Sequence, residues 1–154
     1  MIKESEYIKV LDDNTIEINL PSELGYERIA MDCSASFAKI VGFLPERIED
    51  LKTAVSEACI NAMEHGNKNH PDNRVVVNMN YSDHVFTVTV MDQGEGLQVS
   101  FDEMEPPDIT KKINNLQTPR GLGLFLIKQL VDQVEFNKVS NEGHIIRMVL
   151  KLVK

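Results

Sequence analysis

The chain has 154 residues, a formal net charge of −8, 42% hydrophobic residues and 26% charged residues. This composition suits one soluble globular domain with a buried core, and its acidity argues against a nucleic-acid binder, which would carry a basic patch. No apolar run approaches the ~18 residues of a membrane span, and the charged start Met1-Ile2-Lys3-Glu4 lacks the apolar centre of a secretion signal, so a cytoplasmic protein is expected.

Short strand-like pieces at 7–10 and 16–20 flank the turn signal Asp12-Asp13-Asn14. Pro21-Ser22-Glu23 reads as the start of a helix. Tyr26, Ile29, Ala30, Cys33, Phe37 and Ile40 recur at helical steps, and Gly42 ends the run. Pro45 opens a second helix with apolar positions Ile48, Leu51, Val55, Ala58 and Ala62, and Gly66 is its expected stop. The period then changes to two. Val75, Val77, Met79 and Tyr81 share one strand face, Ser82-Asp83 turns, and Phe86, Val88, Val90 and Asp92 face one way on the returning strand. Residues 97–119 show little periodicity and lie between two glycine clusters, which favours a lid. A helix over 122–131, a strand over 134–140, a turn at Asn141-Glu142-Gly143 and a strand over 145–152 complete the chain. The order implies an α+β two-layer sandwich, with three helices on one face of a mainly antiparallel sheet. Cys33 and Cys59 lie on separate expected helices without metal-ligand spacing and read as buried reduced thiols.

Three clusters carry chemistry. In Ser56-Glu57-Ala58-Cys59-Ile60-Asn61-Ala62-Met63-Glu64-His65-Gly66, an acid and an amide stand four residues apart on one helix face, with His65 one step further. They form either a solvated polar face or a pair in which Glu57 deprotonates an attacking hydroxyl and the Asn61 oxygen binds magnesium, a hard cation that prefers oxygen ligands. His65 fits capping or packing at the helix end better than catalysis. Asp92-Gln93-Gly94-Glu95-Gly96 is either a strand-end turn or an inward carboxylate able to accept an exocyclic base amine. Arg120-Gly121-Leu122-Gly123-Leu124 precedes a helix. Its glycines either allow close packing or let backbone N–H groups approach phosphates, with Arg120 adding charge.

In this order and spacing the clusters resemble the GHKL (Bergerat-fold) ATP-binding superfamily, and within it the anti-sigma-factor serine/threonine kinases of the RsbW type. Residues 55–66 are similar to that family's N box, 92–96 to its first glycine box and 121–124 to its second. The resemblance covers nearly the whole chain, read as a single ATP-binding kinase domain over 1–154, with 1–15 as an N-terminal extension that has no family counterpart. It implies a Bergerat/histidine-kinase-like fold with ATP and Mg2+ as cofactors. Glu57 would be the general base and Asn61 the magnesium ligand. Asp92 would read adenine beside Gly94 and Gly96, and Arg120, Gly121, Leu122, Gly123 and Leu124 would surround the triphosphate. Lys111 and Lys112 fall in the lid without assigned roles, and Arg28 falls near where family members meet partners.

The implied activity is phosphorylation of a serine or threonine on a small antagonist protein. The enzyme would also sequester a sigma factor or another regulatory target, and the resemblance implies a homodimer. No direct nucleic-acid or membrane partner is expected. The alternative is a nucleotide-gated sequestering module without physiological kinase activity, against which the intact Glu57 counts. A detached histidine-kinase ATPase domain fits less well, because no histidine-bearing dimerisation helix precedes the domain.

Overall fold

A computed structural model describes residues 11–68, 70, 72–94, 119–138 and 143–153. The expected strand at 7–10, most of the extension, the lid from 97 to 118 with Lys111 and Lys112, Gly96 and the turn residues Asn141 and Glu142 lie outside them. The elements are β1 (Thr15–Pro21), α1 (Glu27–Val41), α2 (Pro45–Asn61) continued by a π-helical turn (Ala62–Gly66), β2 (Arg74–Ser82), β3 (Val85–Met91), α3 (Pro119–Leu130), β4 (Gln133–Lys138) and β5 (His144–Lys151). The strands form one antiparallel sheet in the order β1-β2-β3-β5-β4. This is the α+β architecture expected from the periodicities.

Alternation along the strands creates the core. Val75, Val77 and Met79 of β2, Phe86, Val88 and Val90 of β3, and Ile146, Met148 and Leu150 of β5 are all buried. Phe86 receives Phe37 and Phe43 edge-to-face at centroid distances of 5.0 and 5.8 Å. Of the helices, α2 packs against both α1 and α3. Its buried positions are mostly small, Ala54, Ala58 and Cys59 beside Leu51 and Val55, which permits close approach on two sides. Burial pushes the Cys59 thiol up to about 12, with the charge of Glu27 adding to the shift, so it stays protonated. Cys33 is only partly buried.

Several boundaries differ from the sequence expectation. Pro21 is the last residue of β1, paired with Arg74, and turns through Gly25 delay α1 until Glu27. The buried face of α1 is Ala30, Ser34, Phe37 and Ala38, whereas Ile29 and Ile40 are 51% and 82% exposed. Their helical spacing straddled two faces. Gly42 does end α1, at φ 107°, donating to Ala38 and Lys39 carbonyls. The β2–β3 turn is Asp83-His84, both at positive φ, one residue later than expected. α3 begins at Pro119 rather than Leu122, so the second glycine cluster lies inside its first turns.

Arg47 ties α2 to the end of α3. Its guanidinium donates to the Leu130 carbonyl at 2.6 Å and meets Asp132 at 2.9 Å and Asp50 at 3.3 Å. The Leu130 carbonyl is one that the helix itself leaves unpaired. Arg47→Ala should lower unfolding free energy by about 1–3 kcal/mol in urea titration, the range for a charged hydrogen-bonding group.

Candidate functional site

The apolar row of β3 ends in a carboxylate. Asp92 follows Val90 in the two-residue period and is 9% exposed. Its Oδ1 accepts the Gly94 N–H at 3.0 Å and the His144 N–H at 3.1 Å, and its own N–H donates to the His144 carbonyl at 3.0 Å. Burial pushes its pKa up, against the lowering effect of the Gly94 N–H and of His144. No donor among the described residues reaches Oδ2, which faces Gly66. A Cβ on Gly66 would overlap this carboxylate, and a Cβ on Gly94 would overlap the Gly66 carbonyl. The π-helical turn and the strand end therefore fit together only as glycines. A cleft of about 290 Å³ opens beside them, lined by Gly66, Asn67, Lys68, Asn73, Gln93 and Gly94.

A second cluster sits between α2 and α3. A Cβ on Gly123 would come within 2.8 Å of Glu57 Oε2 and 3.3 Å of Asn61 Nδ2. The missing side chain thus lets α3 approach the acid–amide pair. Burial, and secondly the charge of Glu64, pushes the Glu57 carboxyl above the usual range. Asn61 is 4% exposed, and its Nδ2 has no hydrogen-bond partner among the described residues. A buried amide without its full complement of partners is uncommon enough to point toward a ligand.

Asn67 joins the two halves of the site. Its N–H donates to the Ala62 carbonyl at 2.7 Å, closing the π-helical turn. Its side-chain oxygen accepts the Gln93 N–H at 2.7 Å, and Nδ2 donates to the Arg74 carbonyl at 3.0 Å and to Ser22 Oγ at 3.2 Å. The loop after Asp92 is therefore pinned to the end of α2. His65 belongs to the same π-helical turn. It lies partly exposed with Nε2 3.8 Å from Glu64.

Glu57, Asn61 and Gly123 come together between α2 and α3, and Asp92 and Gly94 form a second cluster at the end of β3. Arg120 and Gly121 lie in the first turn of α3. Leu122 is partly buried, while the Leu124 side chain belongs to the core. Asn67 and His144 were missed. His144 was legible in principle, standing two residues before Ile146 in the buried row of β5. Nothing local marks Asn67.

The sequence pattern of the family described as "Histidine kinase-like ATPase domain" matches residues 20–150. The chain is 34% identical over 139 residues to a serine-protein kinase RsbW of Bacillus cereus (strain Q1), covering 86% of this chain and 82% of that one. It is 33% identical over 139 residues to the serine-protein kinase RsbW of Bacillus thuringiensis (strain Al Hakam), with the same coverage. Among solved structures it resembles the RsbU and RsbW domains of a Mycobacterium tuberculosis protein, with TM-score 0.65 and 18% identity over 91% of this chain, which spans 33% of that chain. It also resembles a chain of the SiaB–SiaC complex of Pseudomonas aeruginosa, with TM-score 0.62, 13% identity and 88% coverage of both.

Proposed function

Because the chain belongs to the histidine kinase-like ATPase domain family, in its branch of RsbW-like serine-protein kinases, we propose that it is an ATP-dependent protein serine/threonine kinase of a bacterial partner switch. It phosphorylates a serine or threonine of a small antagonist protein and, as a homodimer, sequesters a sigma factor or comparable target. The observation that carries this reading is the meeting of Glu57 and Asn61 with Gly123, a cradle that any side chain on Gly123 would fill.

The residues present suit ATP and magnesium. Asn61 offers a buried amide oxygen, the kind of hard donor that magnesium takes alongside phosphates, and leaves the neighbouring Glu57 carboxylate free to act as base. Asp92 offers a carboxylate oxygen to an exocyclic amine. Gly94 shapes that wall, with Gly96 expected beside it. The first turn of α3, with Arg120, Gly121 and Leu122, presents main-chain N–H groups that the helix leaves unpaired. When bound, ATP supplies the phosphoryl group and magnesium neutralises its charge. Glu57 takes the proton of the incoming hydroxyl at its carboxylate and holds it there. Its raised pKa makes it a better acceptor than an exposed glutamate.

The test is incubation with γ-labelled ATP and the small proteins encoded by the same cells. Phosphoserine or phosphothreonine on one small protein is expected. Absence of nucleotide binding overturns the reading, and binding with no transfer to any protein leaves only the nucleotide-gated sequestering module. A second check is pH. A base must be ionised, and a carboxyl with raised pKa stays protonated to higher pH. The acidic limb of kcat should therefore lie above the ordinary glutamate range, and Glu64→Gln should move it to lower pH by removing the neighbouring charge.

A further inference from the structure

β5 begins with a histidine where its alternation calls for an apolar residue. His144 is in phase with Ile146, Met148 and Leu150, and its side chain is fully buried. The imidazole stacks on Phe136 at a centroid distance of 5.4 Å and an interplanar angle of 25°. Neither ring nitrogen has a hydrogen-bond partner among the described residues. A leucine would cost less there, since a buried donor without an acceptor loses its hydration for nothing. The nearest acceptor is Asp92 Oδ1, 3.5 Å from Nδ1, which is just beyond good hydrogen-bond length. The same oxygen already accepts the His144 N–H at 3.1 Å and the Gly94 N–H at 3.0 Å.

We infer that His144 is a positioning residue for nucleotide-base recognition: its main chain and its imidazole Nδ1–H both address Asp92 Oδ1, fixing the carboxylate so that Oδ2 is left for the exocyclic amine of the base. The inference rests on the reading of Asp92 as the base acceptor. Its physical content is a division of labour between two oxygens. Donors gathered on Oδ1 favour the ionised form against the cost of burial. They also hold the carboxyl plane, so that Oδ2 can accept from an amine and repels a carbonyl oxygen in the same place. Without the imidazole, Asp92 is more readily protonated, and a carboxylic acid can donate to a carbonyl oxygen. His144 thereby sets the preference for a 6-amino purine over a 6-oxo purine, a discrimination of the kind built by buried polar groups that the wrong ligand leaves unpaired.

The experiment is calorimetric titration of the whole protein with Mg-ATP and with Mg-inosine triphosphate, which differ at that amine. His144→Phe keeps a ring against Phe136 and removes the donor, while His144→Asn keeps a donor near the Nδ1 position. In H144F, ATP affinity should fall roughly tenfold, the scale of one charge-assisted hydrogen bond acting through a neighbour, and the ATP/inosine triphosphate ratio should fall with it. H144N should restore ATP affinity to within about threefold of the unsubstituted protein. In an Asp92→Asn background, H144F should have no further effect on the ratio, because the residue it acts through is gone. An unchanged ratio in folded H144F overturns the inference, as does an effect of H144F that simply adds to that of D92N. If H144F does not fold, His144→Leu against H144N makes the same comparison, and equal ratios in those two overturn it. D92N alone separates the two levels: unchanged ATP affinity there sinks the reading of Asp92 itself, whereas weakened affinity with a neutral H144F sinks only the role of His144.

Discussion

Glu57→Gln should slow phosphoryl transfer severely while leaving nucleotide binding and folding nearly intact. The substitution keeps the volume that packs toward Gly123 and removes only the ability to take a proton. General bases contribute roughly 10²–10⁴-fold to a rate, so kcat toward the partner protein should fall by that factor. The ATP dissociation constant should change by less than about threefold, because Glu57 addresses the hydroxyl and not the nucleotide. Stability should hold or rise slightly at neutral pH. A carboxyl whose folded pKa is raised binds its proton more tightly when folded, so it opposes folding as pH climbs through the unfolded and then the folded value. Removing the charge removes that opposition. Single-turnover assays with labelled ATP and the partner protein measure the first effect. A kcat within about tenfold of the unsubstituted enzyme would show that the hydroxyl loses its proton elsewhere.

Gly66→Ala should damage both the fold and nucleotide binding. Backbone preference predicts the opposite sign, since alanine is favoured over glycine in a helical turn by about 1 kcal/mol. Gly66 has no positive φ to protect, so only space decides. The added Cβ would overlap the Asp92 carboxylate, including an approach of 2.8 Å to Oδ1. Asp92 cannot swing aside freely, because Oδ1 is held by the N–H groups of Gly94 and His144. Overpacking of this type costs about 1–3 kcal/mol. A loss of that size in urea denaturation is expected, with ATP affinity lowered roughly 10–100-fold as the base-reading oxygen is displaced. A G66A protein as stable as the original, and binding ATP equally well, would mean that the turn and the strand end do not meet as described.

How much of this site was legible depends on the range of the contact concerned. The period of two along 86–92 placed Asp92 inward beside Phe86, Val88 and Val90, and the structure buries all four. The four-residue spacing put Glu57 and Asn61 on one helix face, and both meet Gly123. Helical spacing misled for Ile29 and Ile40. In α1 the apolar residues are spread over more than one face, and only packing against α2 decides which face is buried. Asn67 itself was invisible, since its value lies in reaching Ser22, Arg74 and Gln93, none of them predictable from its neighbours in the chain.

The chemical inventory was readable along the chain: an acid and an amide on one helix face, an inward carboxylate at a strand end, two glycine clusters, and the alternation that makes an α+β sandwich. These follow from the local sterics of helix and strand, which act over a few residues. Folding set which of these groups meet. It brought Gly123 onto the Glu57–Asn61 pair, Gly66 under Asp92, and His144 across from the same carboxylate on β5. Those pairings depend on long-range packing, where a missing Cβ or a buried ring nitrogen acquires meaning only from the neighbour that folding supplies.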